Sequence, residues 1–265
     1  MQETLALAES TVHTGPLVVP RSFESKIRLS LVVPTFNESQ NIREFLTALR
    51  DQLDAALGSA YEIIVVDDDS PDRTWEIASQ MMAGIPQLRV LRRQREQKLA
   101  AAVIRGWQSA RGEYLGTINA DFQHPPALLP ALIAHLDDSD FVVASRFADG
   151  GGLGDWAMHR RINSSVAHWM GSRLLPQAFG RTSDPLSGFY LVRRQAIADV
   201  ELRPLGFKTL MEIMVRGRIG VIREESYEMR ARQRGSSKLK VRHWFGYAIH
   251  LLRLRRAAKA GASGH

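Results

Sequence analysis

Short apolar runs alternate with helix-like stretches through the first 146 residues, and this alternation constrains the fold more than any other feature of the chain. Residues 29–33, 62–66, 114–118 and 140–144 are rich in β-branched and aromatic residues, as is typical of buried strands. Strands that alternate with helices predict an α/β fold, built on a mainly parallel sheet with helices on both faces.

Polar residues follow these predicted strands where each one ends. They occupy residues 34–38, residues 67–69, residues 119–123 and Arg146. Because parallel strands point in one direction, their carboxyl ends share one edge of the sheet, and open α/β sheets bind ligands in the crevice there. The sequence therefore predicts that the four segments converge on a ligand-binding site. Within the first of them, Asn37 with Gln40 also predicts a capping box for the next helix.

Asn119, Asp121 and Gln123 alternate along the third segment. Carboxylate and amide oxygens suit a hard divalent ion, and Mg²⁺ or Mn²⁺ is usually shared between one or two carboxylates and the phosphates of a substrate. The three residues therefore indicate a metal site. Taken alone, they are equally compatible with a polar turn between a strand and a helix.

Four carboxylates crowd into residues 67–72 after the second strand. Helix capping accounts for Asp69 and Asp72, but it gives no reason for the adjacent Asp67 and Asp68. A carboxylate at a strand's carboxyl end can accept hydrogen bonds from the N–H groups of a nucleotide base, and we favour that interpretation. The basic residues 92–98 suit either phosphate binding or a solvated surface loop.

The charge of the chain is divided unevenly. Residues 201–265 carry 15 Lys and Arg against 5 Asp and Glu, whereas residues 1–200 carry 20 against 23. A basic tail on a mildly acidic domain indicates an anionic partner, such as a membrane surface, a nucleic acid or a phosphorylated substrate. The chain has no cysteine, which excludes disulfides and thiolate metal sites. No apolar run predicts a transmembrane helix, and the N-terminus does not resemble a signal peptide.

Three further segments carry open interpretations. Residues 1–27 predict a flexible extension, docked in part. Residues 230–240 set cations among small residues, which suits either a mobile loop that folds over a pyrophosphate or a solvated linker. Residues 241–256 fit either an interfacial amphipathic helix, whose arginines reach lipid head groups, or a helix packed on the domain.

Five short motifs give the chain a family resemblance. They are VPTFNE at 33–38, DDDSPD at 67–72, ADFQHPP at 120–126, Gly188-Phe189 after Asp184-Pro185, and SKL at 237–239. In this order and spacing, residues 28–256 resemble the family-2 inverting glycosyltransferases of the GT-A fold, and most closely the dolichol-phosphate (polyprenol-phosphate) mannose synthases. The resemblance implies a single GT-A-type (Rossmann-like) domain over residues 28–240. A flexible extension at 1–27 precedes it, and an amphipathic basic C-terminal helix and tail at 241–265 follow it.

The resemblance also implies site residues. The expected donor is GDP-mannose, and positions matching the nucleotide-sugar site are Pro34, Phe36, Glu38, Val66, Asp68, Asn119, Ala120 and Asp121. Positions matching the site for Mg²⁺ or Mn²⁺ are Asn119, Asp121 and Gln123. Positions matching the acceptor-phosphate site are Arg146, Arg160 and Ser164. Positions matching the catalytic groups, including a mobile loop that closes on the donor, are Asp121, Arg232, Arg234 and Lys238.

The implied reaction moves a mannosyl group to a polyprenyl (dolichyl) phosphate with inversion, as a step in protein glycosylation. Because the acceptor phosphate is already anionic, no strong general base is required. Catalysis is then expected to depend on positioning and on cations that neutralise the departing diphosphate. The family usually has Asp where this chain has Asn119, so we expect weaker metal binding here.

The implied partners are the nucleotide-sugar donor and a polyprenyl phosphate in a membrane. We expect a cytoplasmic protein that contacts the cytoplasmic face of that membrane, with or without a separate membrane subunit, and that binds no nucleic acid. Two alternatives remain open from the sequence. One is a UDP-sugar-dependent polyprenyl-phosphate glycosyltransferase. The other is a catalytically weakened homologue that only binds sugar nucleotide, for which Asn119 is the main support.

Overall fold

The computed structural model describes residues 15–94, 98–154, 158–205, 208–230 and 242–262. The strands are β1 (Leu17–Val18), β2 (Leu29–Thr35), β3 (Tyr61–Asp67), β4 (Leu88–Arg92), β5 (Tyr114–Thr117), β6 (Phe141–Ser145), β7 (Tyr190–Arg193), β8 (Glu201–Leu202) and β9 (Ile222–Ser226). The helices are α1 (Ile42–Leu57), α2 (Thr74–Met81), α3 (Leu99–Ser109), α4 (Leu129–Ala134), α5 (Met158–Leu174), α6 (Pro176–Phe179), α7 (Arg194–Ile197), α8 (Thr209–Arg216) and α9 (Arg242–Ala262).

Seven strands form one sheet in the order β4-β3-β2-β5-β7-β6-β9. The first four are parallel to one another, and β9 is parallel to β6. Strand β7 runs antiparallel to both of its neighbours, so β6 and β9 point in the same direction as β2. The prediction of a mainly parallel α/β sheet is confirmed.

The two faces of the sheet bury two separate cores, because successive side chains of a strand point to opposite faces. On β2, Leu31 and Val33 pack with α1, α2 and α4, whereas Val32 packs with α3, α8 and α9. The helices that alternate with the strands in the sequence therefore cover both faces. This arrangement leaves the edges of the sheet as the places where polar groups can gather.

Helix α1 begins at Ile42, so the predicted capping box at Asn37 is wrong. Asn37 has a left-handed backbone with φ of 55°. The backbone N–H groups of Asn37, Glu38 and Ser39 donate to side-chain oxygens of Ser70, Thr74 and Asp72, at 3.0, 2.9 and 3.0 Å. The loop after β3 therefore satisfies the N–H groups that a local cap would have served.

Both ends of the described chain pack on the domain. Strand β1 pairs with β8, and Val19 is fully buried, so this part of the predicted extension is docked. At the other end, α9 places Tyr247, Leu251 and Leu254 in the core, which favours the packed-helix interpretation for its inner face. Within the described ranges, no helix combines the length and the apolar character that crossing a bilayer requires.

Candidate active site

The polar segments predicted to converge do lie at one edge of the sheet. Asp68 directly follows β3, Asp121 lies shortly after β5, and Arg146 directly follows β6. These three strands point in the same direction, so their carboxyl ends meet at the same edge. The predicted convergence is therefore confirmed. We call the β2–β3–β4 part of this edge, with residues 34–38, 67–72 and 92–93, the nucleoside half. The part with residues 119–124, Arg146, Asp184, Lys208 and Tyr227 is the transfer half.

Asp67 stabilises the turn after β3. Its carboxylate accepts hydrogen bonds from Thr35 Oγ1 at 2.7 Å, from Ser70 Oγ at 2.6 Å and from the Ser70 N–H at 2.8 Å. Burial raises the pKa of Asp67, although the hydrogen bonds from Ser70 and Thr35 oppose this shift. The turn next to it is strained, because Asp69 has a φ of 55°. These hydrogen bonds explain why a carboxylate is present at Asp67, which the sequence alone did not explain.

The other carboxylates of the cluster have partners of their own. Arg93 Nε donates to Asp68 Oδ1 at 2.7 Å, and both side chains are buried. Arg92 Nε donates to Asp69 Oδ1 at 2.6 Å, and its guanidinium lies 4.1 Å from the centroid of the Trp75 ring. Arg92 and Arg93 thus neutralise two of the four carboxylates, Asp69 and Asp68, a role that neither open interpretation of residues 92–98 included.

The remaining nucleotide-site candidates line the nucleoside half to different degrees. Pro34 and Val66 are partners in the register of β2 and β3, and both are buried. The Val66 side chain belongs to the core beneath α3. Phe36 and Glu38 are half-buried at the rim, where Glu38 Oε2 accepts a hydrogen bond from Asn41 Nδ2 at 3.0 Å.

The segment after β5 brings Asn119, Asp121 and Gln123 together with Gly188. Asp121 and Gln123 are buried, and the Gln123 N–H donates to Asp121 Oδ1 at 3.1 Å. Phe122 between them has a φ of 57°, a strained conformation for a bulky residue. A Cβ on Gly188 would lie 3.0 Å from Asn119 Nδ2, so the glycine leaves room for the Asn119 amide. The neighbouring Ala120 is buried in the core.

These residues fit a weakly held divalent ion. Gln123 Nε2 is buried, and no described group forms a hydrogen bond to it. A 180° rotation of the amide exchanges Nε2 and Oε1, which would place an oxygen at this buried position. The described residues contain no group of three or more His, Cys, Asp or Glu that could hold a metal. One carboxylate with two amides matches the sites that Mg²⁺ completes with substrate phosphates.

Arg146 is held by Asp184 in a buried, two-pronged ion pair. Its Nε and Nη2 donate to the Asp184 carboxylate at 2.6 and 2.7 Å. The pKa of Asp184 lies below its usual value. Burial acts to raise this pKa, but the hydrogen bonds and the charge of Arg146 lower it by more. Asp184 reaches this position because β7 is antiparallel, so the segment before β7 lies at the same edge as the end of β6.

Lys208 adds a second cation beside this pair. Its ammonium donates to the backbone oxygen of Leu186. Burial and the charge of Arg146 lower the pKa of Lys208 to about 7, although Asp184 opposes the shift. No motif in the sequence pointed to this lysine, because it precedes an ordinary amphipathic helix, α8.

His124 and Tyr227 connect the β5 segment to the end of β9. The Tyr227 hydroxyl lies 2.7 Å from His124 Nδ1, and the imidazole packs edge-on against Phe189. Burial lowers the pKa of His124 to about 4, and the charges of Asp121 and Arg146 act on it in opposite directions. The ring is therefore neutral at physiological pH and lies between the metal-site candidates and the Arg146 pair.

The predicted mobile-loop cations lie outside the described residues. Arg232, Arg234 and Lys238 belong to the range 231–241, which the structure does not describe. The residue before that range does take part in the site, because the Arg230 N–H donates to the Gln123 backbone oxygen at 3.2 Å.

The two acceptor-site candidates on α5 are described to different extents. Arg160 lies on the first turn of α5, with a side chain that is likewise outside the description. Ser164 follows one turn later and is half-buried. The structure therefore brings Arg146, Asp121 and Gln123 to the transfer half of the edge. A role for Arg160 in binding the acceptor phosphate stays a prediction.

Comparisons with known proteins agree with this geometry. The family model described as "Glycosyl transferase family 2" matches residues 30–201. The dolichol-phosphate mannosyltransferase of Pyrococcus furiosus is 40% identical over 229 residues, which are 86% of this chain and 64% of that protein. The chain thus spans less than two thirds of the length of that relative. The dolichol-phosphate mannosyltransferase of Mycosarcoma maydis is 34% identical over 236 residues, or 86% of this chain and 79% of that protein.

A solved structure shows the same fold at lower identity. Glucosyl-3-phosphoglycerate synthase from Mycobacterium tuberculosis was crystallised with Mn²⁺, uridine diphosphate and glucosyl-3-phosphoglycerate. It superposes with a TM-score of 0.63 at 19% identity, covering 86% of this chain and 78% of that one. The sheet edge, the family match and the shared fold lead to one assignment: the chain belongs to glycosyl transferase family 2 and has the GT-A fold.

Proposed function

We propose that the protein transfers a mannosyl group from GDP-mannose to a polyprenyl (dolichyl) phosphate, with inversion at the anomeric carbon and with a divalent metal ion. The observation that carries the proposal is the meeting of Asp68, Asp121 and Arg146 at one edge of the sheet. The mannosyltransferase relatives support the sugar and the lipid class. The identity of the donor's base and the requirement for a metal ion go beyond what these relatives support, and they are part of the proposal.

In this proposal the nucleoside half holds the donor's base and ribose. Pro34, Phe36, Glu38 and Asp68 border the crevice at the ends of β2 and β3. The carboxylate of Asp68 can accept hydrogen bonds from the N–H groups of guanine, since an ionised carboxylate is purely an acceptor. Fixed backbone and ion-pair contacts around the cluster mean that little reorganisation is needed on binding.

The metal ion would be held by Asp121, Gln123 and Asn119, next to the donor's diphosphate. When bound, it would offset the negative charge that develops on the leaving group. The chain's own residues set the position of the ion. Phe122 holds the strained turn between Asp121 and Gln123, and Gly188 leaves space for Asn119.

The transfer half would hold the acceptor phosphate and the departing diphosphate. Arg146 is fixed by Asp184, and Lys208 lies within electrostatic reach of both, so an anion entering here meets two cations and one carboxylate. The Arg230 N–H is bonded to the Gln123 backbone oxygen, and the proposed loop cations Arg232, Arg234 and Lys238 follow Arg230 in the sequence.

No side chain is required to remove a proton in this reaction, because the attacking phosphate is already ionised. The neutral imidazole of His124 agrees with that requirement, since its pKa of about 4 makes it a weak base. Its hydrogen bond to Tyr227 instead ties the β5 segment to β9. The residues therefore act by holding the two substrates in line and by stabilising charge.

Access to a lipid acceptor requires a membrane contact, and we propose that α5 supplies it. The inner face of α9 is buried, but α5 exposes four apolar side chains that recur every three or four residues. Met158, Ile162, Val166 and Trp169 are 70%, 55%, 42% and 60% exposed. Neither α5 nor α9 contains Asp or Glu. An apolar stripe on a helix whose charged residues are all basic suits an anionic bilayer surface.

A vesicle experiment tests this contact with a matched pair of variants. Val166→Gln removes an apolar side chain from the stripe, whereas Val221→Gln removes one of similar exposure that precedes β9 at the opposite edge of the sheet. We expect Val166→Gln to lower co-flotation with phosphatidylserine-containing vesicles several-fold, and Val221→Gln to leave it unchanged. Equal flotation by the two variants would contradict the assignment of α5.

The transferase proposal is tested by incubating the protein with radiolabelled GDP-mannose and a polyprenyl phosphate, with and without Mn²⁺. We expect lipid-linked mannose that depends on the metal. No lipid-linked product under either condition, beside an active control enzyme, would contradict the proposal. Comparing GDP-mannose with UDP-sugars as protectants against thermal unfolding separates the GDP-dependent reaction from the UDP-dependent alternative, because only a bound donor stabilises the fold.

A further inference from the structure

Arg93 lies at the active edge of the sheet, and the proposed reaction assigns it no role. It follows β4, and its N–H donates to the backbone oxygen of Asp67 at 2.8 Å. Its Nε donates to Asp68 Oδ1 at 2.7 Å, and each side chain is only 8% exposed. On the other flank, the Asp68 N–H donates to the Thr35 backbone oxygen at 3.1 Å. Asp68 is thus held from β2 on one side and from β4 on the other.

This arrangement fixes the direction in which the carboxylate points. A buried carboxylate is costly unless a cation and hydrogen bonds compensate it. Arg93 does so through the Nε–H of a rigid, planar guanidinium, whose fixed direction orients the carboxylate as well as neutralising it. A lysine at the same position would keep the charge but would lose this fixed N–H direction.

We propose that Arg93 is a positioning residue for base recognition, which acts by orienting Asp68 toward the nucleobase. The inference rests on the proposed function and names the ligand chemistry of the nucleoside half. Guanine offers two adjacent N–H donors, at N1 and at the exocyclic N2, whereas uracil offers one. A carboxylate with a fixed orientation is matched to the two-donor edge, so the orientation set by Arg93 favours a guanine nucleotide.

The test is calorimetric titration of the full chain with GMP and with UMP. GMP lacks the second phosphate and the sugar, so it reports on the nucleoside half alone. Arg93→Lys is expected to weaken GMP binding about tenfold, which corresponds to one charge-assisted hydrogen bond. Arg193→Lys is the matched control, because Arg193 pairs with Glu113, which is about one third exposed, at the opposite edge of the sheet and outside the nucleoside half. That control is expected to stay within about twofold of the wild type.

A double-mutant cycle separates orientation of Asp68 from a general structural effect. If Arg93 acts through Asp68, then Arg93→Lys should cause no further loss in a protein that already carries Asp68→Asn. Thermal unfolding of each variant shows that it is folded. Arg93→Gln serves as a second variant if Arg93→Lys is unstable.

The possible results separate the role of Arg93 from the proposed transferase activity. Wild-type affinity for GMP in Arg93→Lys, or additive losses in the cycle, would overturn the role of Arg93 while leaving the transferase proposal intact. A wild-type protein that binds neither nucleotide would overturn both. Tighter binding of UMP than of GMP would overturn the guanine assignment, and the same cycle run with UMP would then decide whether Arg93 orients Asp68.

Discussion

The two halves of the active edge are built in different ways. In the nucleoside half, the ends of adjacent strands supply both members of each charged pair, as with Asp68 directly after β3 and Arg93 directly after β4. In the transfer half, Arg146 pairs with Asp184, 38 residues away, and His124 pairs with Tyr227, 103 residues away. The first half is therefore stabilised by contacts between neighbouring strands. The second forms only when distant segments have been brought together.

This difference has a consequence for function. In the nucleoside half, hydrogen bonds to Asp67 and ion pairs to Asp68 and Asp69 hold one turn, so that half is organised before a ligand binds. In the transfer half, Arg146 pairs with the buried carboxylate of Asp184, and Lys208 lies beside that pair. We therefore expect substitutions in the transfer half to change catalysis and stability more than equivalent substitutions in the nucleoside half.

The largest expected effect is on catalysis at Asp121. Asp121→Asn removes the one carboxylate of the proposed metal site, and we expect the rate of mannosyl transfer to fall at least ~100-fold. Asp69→Asn is the control in the nucleoside half, because Asp69 forms an ion pair with Arg92 in which both side chains are about one third exposed. Initial rates with saturating donor measure both. A rate for Asp121→Asn within a few-fold of the wild type would remove the basis for the distinction between the halves.

The next effect is on stability at the Arg146–Asp184 pair. Asp184→Asn leaves the charge of Arg146 buried without its carboxylate, and we expect the free energy of unfolding in urea to fall by about 3 kcal/mol. Glu113→Gln breaks the more exposed pair with Arg193, and it should cost less than about 1 kcal/mol.

A double variant sharpens this test. Arg146→Met with Asp184→Leu removes both charges, and it should recover much of the stability while abolishing transfer. Recovery of transfer as well would show that the pair only supports the fold.

A smaller effect is expected at Asn119. Asn119→Asp adds a second carboxylate next to Asp121, so half-maximal activity should require roughly tenfold less Mn²⁺. The metal dependence of the initial rate is the measurement. If neither form turns over although both bind donor, the alternative of a non-catalytic sugar-nucleotide-binding protein is favoured.

The smallest effect concerns the pH dependence of stability at Lys208. The pKa of Lys208 is lowered to about 7 in the folded protein, against about 10.4 in the unfolded chain. Between these values the unfolded state binds more protons, so the free energy of unfolding rises with pH. Relative to Lys208→Met, the wild type should gain about 1 kcal/mol from pH 7 to pH 8. Parallel pH profiles of the two proteins would contradict the lowered pKa.

Local pattern was enough to predict β2, β3, β5 and β6 and the polar segments at their ends. Asp121 and Arg146 were found in this way, because each follows an apolar run that can only be a buried strand. Arg93 lies in the basic segment 92–98 and Asp184 precedes the Gly188-Phe189 motif, so the sequence marked both segments. It did not predict the partners of these two residues. The pairing of Arg146 with Asp184 depends on β7 entering the sheet antiparallel between β5 and β6, and the spacing of residues does not encode strand order.

The sequence by itself determined the fold class, the alternation of strands and helices along the chain, and the edge of the sheet at which the polar groups gather. Side-chain periodicity and strand direction are local properties, so local sequence is enough to predict them. Only the tertiary structure decided which charges neutralise one another and which apolar faces are covered. The period of α9 showed that the helix has an apolar face, yet packing buried that face and left the stripe on α5 exposed. A periodic pattern specifies that a face needs an apolar neighbour, but the identity of the neighbour depends on what the rest of the chain brings beside it.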